Sequence, residues 1–210
     1  MRRVYYYRMD IGHIWFDFSD TLASMERAEF EKMIYGAYAK ATGKEITPEL
    51  IADYKALLKE KKSNSAVFTS LGLPSDYLSN AAADRTGMYH LTDIKIPVVL
   101  QELKDIIPVS VFSNTRLDVV LPSLGISPEW FTNILGPDIV KEPKPAPAGF
   151  LKMIELSKTP ADRVLYIGDD VEKDIMPAKA VGLRTGLLWK ESDAPDYCFK
   201  DFTAVLALFS

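Results

Sequence analysis

The sequence predicts an α/β protein: a doubly wound parallel sheet that carries a small all-helical insert. Three observations point there. Apolar runs at Ile14-Trp15-Phe16, Val109-Ser110-Val111-Phe112 and Val164-Leu165-Tyr166-Ile167 each end abruptly in polar residues. Strands buried on both faces read this way, and in such sheets their carboxyl ends open on a ligand crevice. Segments with helical periodicity separate the later runs, the alternation that produces right-handed crossovers and parallel pairing. Finally, about seventy residues after Leu22 carry helical spacing and no β alternation. A structureless loop of that length is rare in a compact domain, so the segment is an insert with its own core.

Residues 12–18 read as the first buried strand. Apolar positions then recur at helical spacing over Glu26–Ala41 (Phe30, Met33, Ile34, Ala37) and Pro48–Lys61 (Leu50, Ile51, Tyr54, Leu57, Leu58). A third helix is expected over Ser75–Tyr89. Thr47-Pro48 and Pro74-Ser75 look like helix starts, with Thr47 or Ser75 as cap. The Lys59–Lys62 run with Ser63-Asn64-Ser65 reads as a solvated helix end and loop. The core resumes with an amphipathic helix over Pro97–Asp105 and a strand over Pro108–Ser113. A helix over Arg116–Leu124 follows, then Trp130–Ile134 leading into a short strand, and a helix over Ala148–Ser157. After the strand Val164–Ile167, a helix over Ile175–Val181 ends at Gly182, a natural C-terminal glycine. Arg184–Trp189 is a strand, Asp196–Phe199 a short edge strand and Phe202–Phe209 a closing helix. The division expected is a core from residues 1–22 and 93–210 and a helical cap from 23–92. Met1–Arg8 is an appendage whose Val4–Tyr7 stretch is β-prone.

Composition narrows the function. A net charge of −4 disfavours nucleic acid and anionic membranes as partners, since both call for basic patches. The single cysteine, Cys198, excludes internal disulfides and any C-x-x-C site. No apolar run reaches the roughly 18 residues needed to span a bilayer, and no stretch of signal-peptide type follows the basic N-terminus. A cytoplasmic location is expected. The two histidines support neither a Ser-His-Asp triad nor a histidine metal site: His13 packs at the start of the first strand and His90 lies at the exit of the insert. Tyr35, Tyr38 and Tyr54 read as core of the insert rather than as a pocket.

Acidic residues cluster after the third apolar run, at Asp169, Asp170 and Asp174. Together with Asp17 they would repel strongly in a partly buried site without a cation, and hard oxygen donors of this kind suit Mg²⁺. The competing reading is an acid-rich helix N-terminus favoured by the dipole. Asp169 is the expected ligand; Asp170 and Asp174 ligate or support, in an order left open.

Four motifs in fixed order sharpen this picture: I-W-F-D-F-S-D-T-L (Ile14–Leu22), V-S-V-F-S-N-T (Val109–Thr115), K-P-A-P-A-G-F (Lys144–Phe150) and V-L-Y-I-G-D-D-V-E-K-D (Val164–Asp174). In them the chain resembles the haloacid dehalogenase (HAD) superfamily, which consists largely of magnesium-dependent phosphoryl-transfer enzymes. The resemblance implies that Asp17 is a nucleophile forming an aspartyl-phosphate, that the main-chain carbonyl of Ser19 joins Asp17, Asp169, Asp170 and Asp174 around Mg²⁺, and that Ser113, Asn114 and Lys144 grip a phosphoryl group. It also implies a helical cap between the first and second core strands and a small phosphorylated metabolite as substrate. Lys141 is a poorer candidate than Lys144, because Glu142-Pro143 follows it.

One position departs from the pattern. Phosphatases of the superfamily read D-x-D-x-T, and here the second Asp is Ser19. That Asp protonates the leaving oxygen and later deprotonates water, which serine cannot do near neutral pH. General acid–base help is worth about 10²–10⁴ in rate. The neighbouring Asp20 is a possible substitute. The resemblance therefore implies a magnesium-dependent phosphatase, slow on poor leaving groups. The alternative is a catalytically weakened member that binds a phosphorylated ligand or a protein partner. A haloacid dehalogenase, which works without metal, and a phosphonate hydrolase, which needs a Schiff-base lysine such as Lys32, Lys40 or Lys44, fit less well.

Overall fold

The computed structural model describes residues 10–83, 86–118 and 120–209; the Met1–Arg8 appendage lies outside them. Six parallel strands form the central sheet: β1 (His13–Asp17), β4 (Val109–Phe112), β5 (Asn133–Leu135), β6 (Val164–Gly168), β7 (Arg184–Leu188) and β8 (Tyr197–Phe199). Their order is β5-β4-β1-β6-β7-β8. From β1 the chain runs outward through β4 and β5, then crosses back to β6 on the other side. The order thus reverses beside β1, and a crevice opens there at the carboxyl ends of β1 and β6. Every residue of β1, β4 and β6 is buried. Alternation divides them between the two faces of the sheet. Ile14 and Phe16 pack with Val111 and Ile167 on one side, while Trp15 packs with Phe112, Phe150 and Tyr166 on the other.

Helices α5 (Ile96–Ile106), α6 (Val120–Ser123), α7 (Pro147–Ser157) and α8 (Met176–Ala180) accompany the sheet. The helix expected over Arg116–Leu124 contracts to α6. Pro122 is tolerated only in a first turn, and Gly125, at φ +71°, ends the segment. The helix expected over Ile175–Val181 is preceded by a π turn at Val171–Ile175 and ends before Gly182, at φ +88°. Phe202–Phe209 is a 3₁₀ helix rather than an α-helix. Among the described residues, no helix is long and apolar enough to cross a membrane.

Between β1 and α5 the chain forms α1 (Arg27–Thr42), α2 (Pro48–Lys61), α3 (Asn64–Ser70) and α4 (Tyr77–Ala83) around a separate apolar cluster that includes Ile34, Tyr38, Tyr54 and Phe68. Tyr54 meets Tyr35 and Tyr38 edge-on, at centroid distances of 5.7 and 5.1 Å. These rings are packing, as the sequence indicates. Thr47 caps α2 by accepting from Leu50 N at 3.3 Å, whereas Ser75 Oγ donates to Pro137 O at 3.0 Å. Two expectations are corrected. Asn64 and Ser65, expected in a loop, begin the helix Asn64–Ser70, because Val67 and Phe68 are drawn into the cluster. The segment is also not all-helical: β2 (Ala23–Met25) and β3 (Tyr89–Leu91) pair antiparallel at its base, Ala23 opposite Leu91 and Met25 opposite Tyr89. That pairing takes Tyr89 out of the helix expected over Ser75–Tyr89.

Candidate active site

Asp17 is the last residue of β1, and its carboxylate is buried. Thr21 Oγ1 donates to Asp17 Oδ2 at 3.0 Å, and the Lys144 ammonium donates to Oδ1. Lys144 Nζ also reaches Asp174 Oδ1 at 2.7 Å and the Tyr166 hydroxyl at 2.8 Å; that hydroxyl donates in turn to Asp174 Oδ1 at 2.9 Å. One buried cation therefore joins two buried carboxylates from opposite ends of the chain. Its ammonium lies 5.3 Å from the centroid of Phe112 and 5.6 Å from that of Tyr166. Gly149 permits this close fit, because a Cβ there would stand 2.1 Å from the Phe112 ring.

Ligand oxygens of Asp17, Asp169 and Asp174 all lie within 4.8 Å of one another. Burial pushes the Asp17 carboxyl up, Lys144 pulls it down, Asp174 pushes it up again, and the outcome is about 7. Burial pulls Lys144 down, but its two carboxylate partners prevail and hold it above the ordinary lysine value. Asp169 is also raised, by burial and by Asp174, despite the Lys190 ammonium at 3.1 Å. Such crowding of acids is what a bound divalent cation would relieve.

Asp170 stands apart from this group. Its Oδ1 accepts from Glu172 N and Lys173 N, both at 2.9 Å, so it caps the π turn. Despite partial burial, those amides and the Lys173 ammonium hold its carboxyl below the usual range. Its main-chain N–H donates to Asp174 Oδ2 at 3.2 Å, so Asp170 serves the site through its backbone. Asn114, expected to grip a phosphoryl group, lines the cavity and also binds the lysine loop. Its Oδ1 accepts from Lys144 N at 2.9 Å while Nδ2 donates to Lys144 O at 3.4 Å and Ser63 Oγ at 3.5 Å. The carboxamide fixes the lysine loop. Ser113 is buried just past β4, where its Oγ accepts from Thr115 N at 3.0 Å. Ser19 and Asp20 are exposed at the mouth, and Asp20 turns the chain at φ +62°. Partial desolvation of its carboxylate in the cavity wall raises the Asp20 carboxyl, against the pull of Lys173, Lys190 and His90.

The site opens into a cavity of about 180 Å³ walled by Asp17, Asp169, Lys144 and Asn114 on one side and by Phe30, Ser63, Asn64 and Leu78 on the other. Lys62 Nζ meets Glu172 Oε2 at 2.6 Å across the gap.

A family model described as haloacid dehalogenase-like hydrolase matches residues 11–182. The chain belongs to that family. A phosphoglycolate phosphatase from Photorhabdus laumondii is 34% identical over 125 residues, which are 54% of this chain and 53% of that protein. The match thus spans about half the length of the relative. Among solved structures, a HAD phosphatase from Thermococcus onnurineus superposes with a TM-score of 0.72 at 17% identity, covering 95% of this chain and 98% of that one. A 2-haloacid dehalogenase from Pseudomonas syringae gives 0.66 at 21%, covering 95% and 98%. These two likenesses establish the shared fold, which hosts both chemistries.

Three further side chains serve the site. Thr21 is legible as the Thr of D-x-D-x-T. Tyr166 looks like any apolar strand residue until its hydroxyl is seen between Lys144 and Asp174. Lys190, which donates to Asp169 O at 2.9 Å, comes from a distant strand end and has no local signal.

Proposed function

We propose that this family member is a magnesium-dependent phosphatase that uses Asp17 as nucleophile on a small phosphorylated metabolite. The observation that carries the reading is the convergence of Asp17, Asp169 and Asp174 on one another with a buried lysine among them. A carboxylate triad of hard oxygens fits Mg²⁺, with the Ser19 carbonyl as a further donor, and the bound ion would neutralise these acids and polarise a phosphoryl oxygen. The phosphatase name of the Photorhabdus relative supports the same class.

An Asp17 carboxylate oxygen attacks phosphorus, and the P–O bond to the leaving group breaks with its electron pair. Lys144 offsets the negative charge that nucleophile and phosphate bring together. Thr21 holds Asp17 through its other oxygen, and Tyr166 fixes Asp174. Water then attacks the aspartyl-phosphate and restores the carboxylate. Residues 23–92 act as a cap, with Lys62–Glu172 and Ser63–Asn114 as latches.

Release of phosphate from 4-nitrophenyl phosphate, with and without Mg²⁺, tests the proposal. Activity should require the ion and vanish in Asp17→Asn. Ser19 favours one rival, a weakened member that only binds. Tight phosphate-ester binding without turnover on any activated ester would select it and reject catalysis.

A further inference from the structure

Beside the acidic cavity lies a larger one of about 340 Å³, and Ser19, Asp20, Phe30, Asn64, Leu78 and Thr115 line both. We propose that this second chamber receives the organic part of the substrate and that the substrate is the phosphate ester of an apolar, aromatic alcohol. The inference rests on the phosphatase reading above and names its substrate class.

Two independent features converge on that class. The first is the wall. Beyond the shared residues the chamber is lined by Ala23, Ser24, Met25, Arg27, Met33 and Tyr89, so with Phe30 and Leu78 one side of it is an apolar, partly aromatic wall. An apolar cavity of about 150 Å³ already accommodates benzene. Twice that space leaves room for a substituted ring, and far more than a two-carbon acid needs. Nor is the wall made for an anionic tail. Arg27 is its sole cation among the described residues, and that side chain is 91% exposed and engaged with Glu31 at 3.1 Å. Asp20 in the shared wall repels a carboxylate.

The second feature is Ser19. Serine supplies no carboxylic acid at this position to protonate the departing oxygen, so unless Asp20 takes over that role the electron pair of the broken P–O bond must rest on the leaving group itself. Phenols ionise near pH 10, as tyrosine does, against about 15.7 for water. A phenolate therefore departs unprotonated far more readily than an alkoxide, whose esters are cleaved slowly. The new bond joins Asp17 oxygen to phosphorus, and water later supplies the oxygen and protons of released phosphate.

Leaving-group chemistry and pocket fit are separated by substrates of equal alcohol basicity. With Mg²⁺ present, kcat/KM for hexyl phosphate should exceed that for ethyl phosphate by at least tenfold, since each buried methylene contributes up to about fourfold. Phenyl phosphate should exceed 2-phosphoglycolate by at least 10²-fold. Phe30→Ala should reduce the hexyl-to-ethyl ratio at least threefold. Equal rates for hexyl and ethyl phosphate, or a preference for 2-phosphoglycolate, would overturn the inference while leaving the phosphatase reading intact. Calorimetry on Asp17→Asn reads the chamber without turnover: phenyl phosphate should bind at least tenfold tighter than 2-phosphoglycolate, and the reverse order rejects the proposal. If no ester is hydrolysed, the phosphatase reading fails, and the binding order still decides what the chamber accepts.

Discussion

Replacing Gly168 by alanine should damage the site without removing any of its functional groups. An added Cβ would lie 2.6 Å from both Cβ and Cγ of Asp174 and 2.7 Å from its Oδ2, where ordinary contact begins at 3.4 Å. The acid must therefore recede by about 0.8 Å, and because its own Cβ is among the clashing atoms, the π turn that carries it must move too. A shift of that size is enough to stretch the 2.7 Å contact to Lys144 to the edge of hydrogen-bond range and the 2.9 Å contact to Tyr166 beyond it. Overpacking of this kind destabilises by about 1–3 kcal/mol, and a misplacement near 1 Å reduces turnover by about 10²-fold. Gly36 supplies the matched control. It sits in the middle of α1, and among the described residues nothing comes within 4 Å of where an added methyl group would stand, so the same substitution should stabilise by about 0.5–1 kcal/mol. Urea denaturation and magnesium-dependent phosphate release would be measured on both variants. Wild-type midpoint and wild-type turnover in Gly168→Ala would refute the claim that β6 and the turn are packed to contact.

Ser19→Asp should raise alkyl-phosphate turnover by about 10² if the missing function is ordinary acid–base catalysis; unchanged alkyl and aryl rates, with both abolished in Asp20→Asn, would assign that role to Asp20. Lys144→Met should lower stability by about 3–5 kcal/mol, read by denaturation, because it leaves two carboxylates buried without their cation; retention of full stability would mean that Asp17 and Asp174 are not both charged in the free protein. Stability should also fall with acid through His13. Burial lowers its pKa to about 4 from 6.5, and Ser110 Oγ, which accepts from Asn133 N at 3.0 Å, is left to donate to His13 Nε2 at 2.8 Å. Below pH 6.5 the unfolded chain binds the proton and the folded one does not, so about 2 kcal/mol should be lost between pH 7 and pH 5, a loss absent from His13→Gln.

The sheet was legible because β1, β4 and β6 are buried on both faces, which forces uninterrupted apolar runs, and their polar ends mark the crevice. The long amphipathic helices α1, α2 and α5 were legible for the same reason of repeated burial. The ribbon of β2 and β3 was not. Three residues on each side offer no period to detect, and their partners lie some 66 positions apart, as Ser24 and His90 do. α3 was hidden by the polar Ser63-Asn64-Ser65 stretch at its start. Of the site, motifs bring Asp17, Lys144, Asp169 and Asp174 to one place, but spacing alone does not separate Asp174 from Asp170. Only the π turn does so, turning one carboxylate toward Lys144 and leaving the other as a cap.

The short ribbon has a consequence of its own. Thr92 N donates to Leu22 O at 3.1 Å, and Thr92 Oγ1 to Thr21 O at 2.7 Å. The strand-end loop beside Asp17 is thus closed on itself before α1 to α4 begin, and the polypeptide departs and returns through adjacent positions. To the sheet, everything from Ala23 to Leu91 is a hairpin tip, and hairpin tips accept insertions readily. A lineage can replace those helices by another module of similar footprint, altering what the cavity admits, while the carboxylates and the lysine keep their register. Selectivity and chemistry can then be inherited as separate parts.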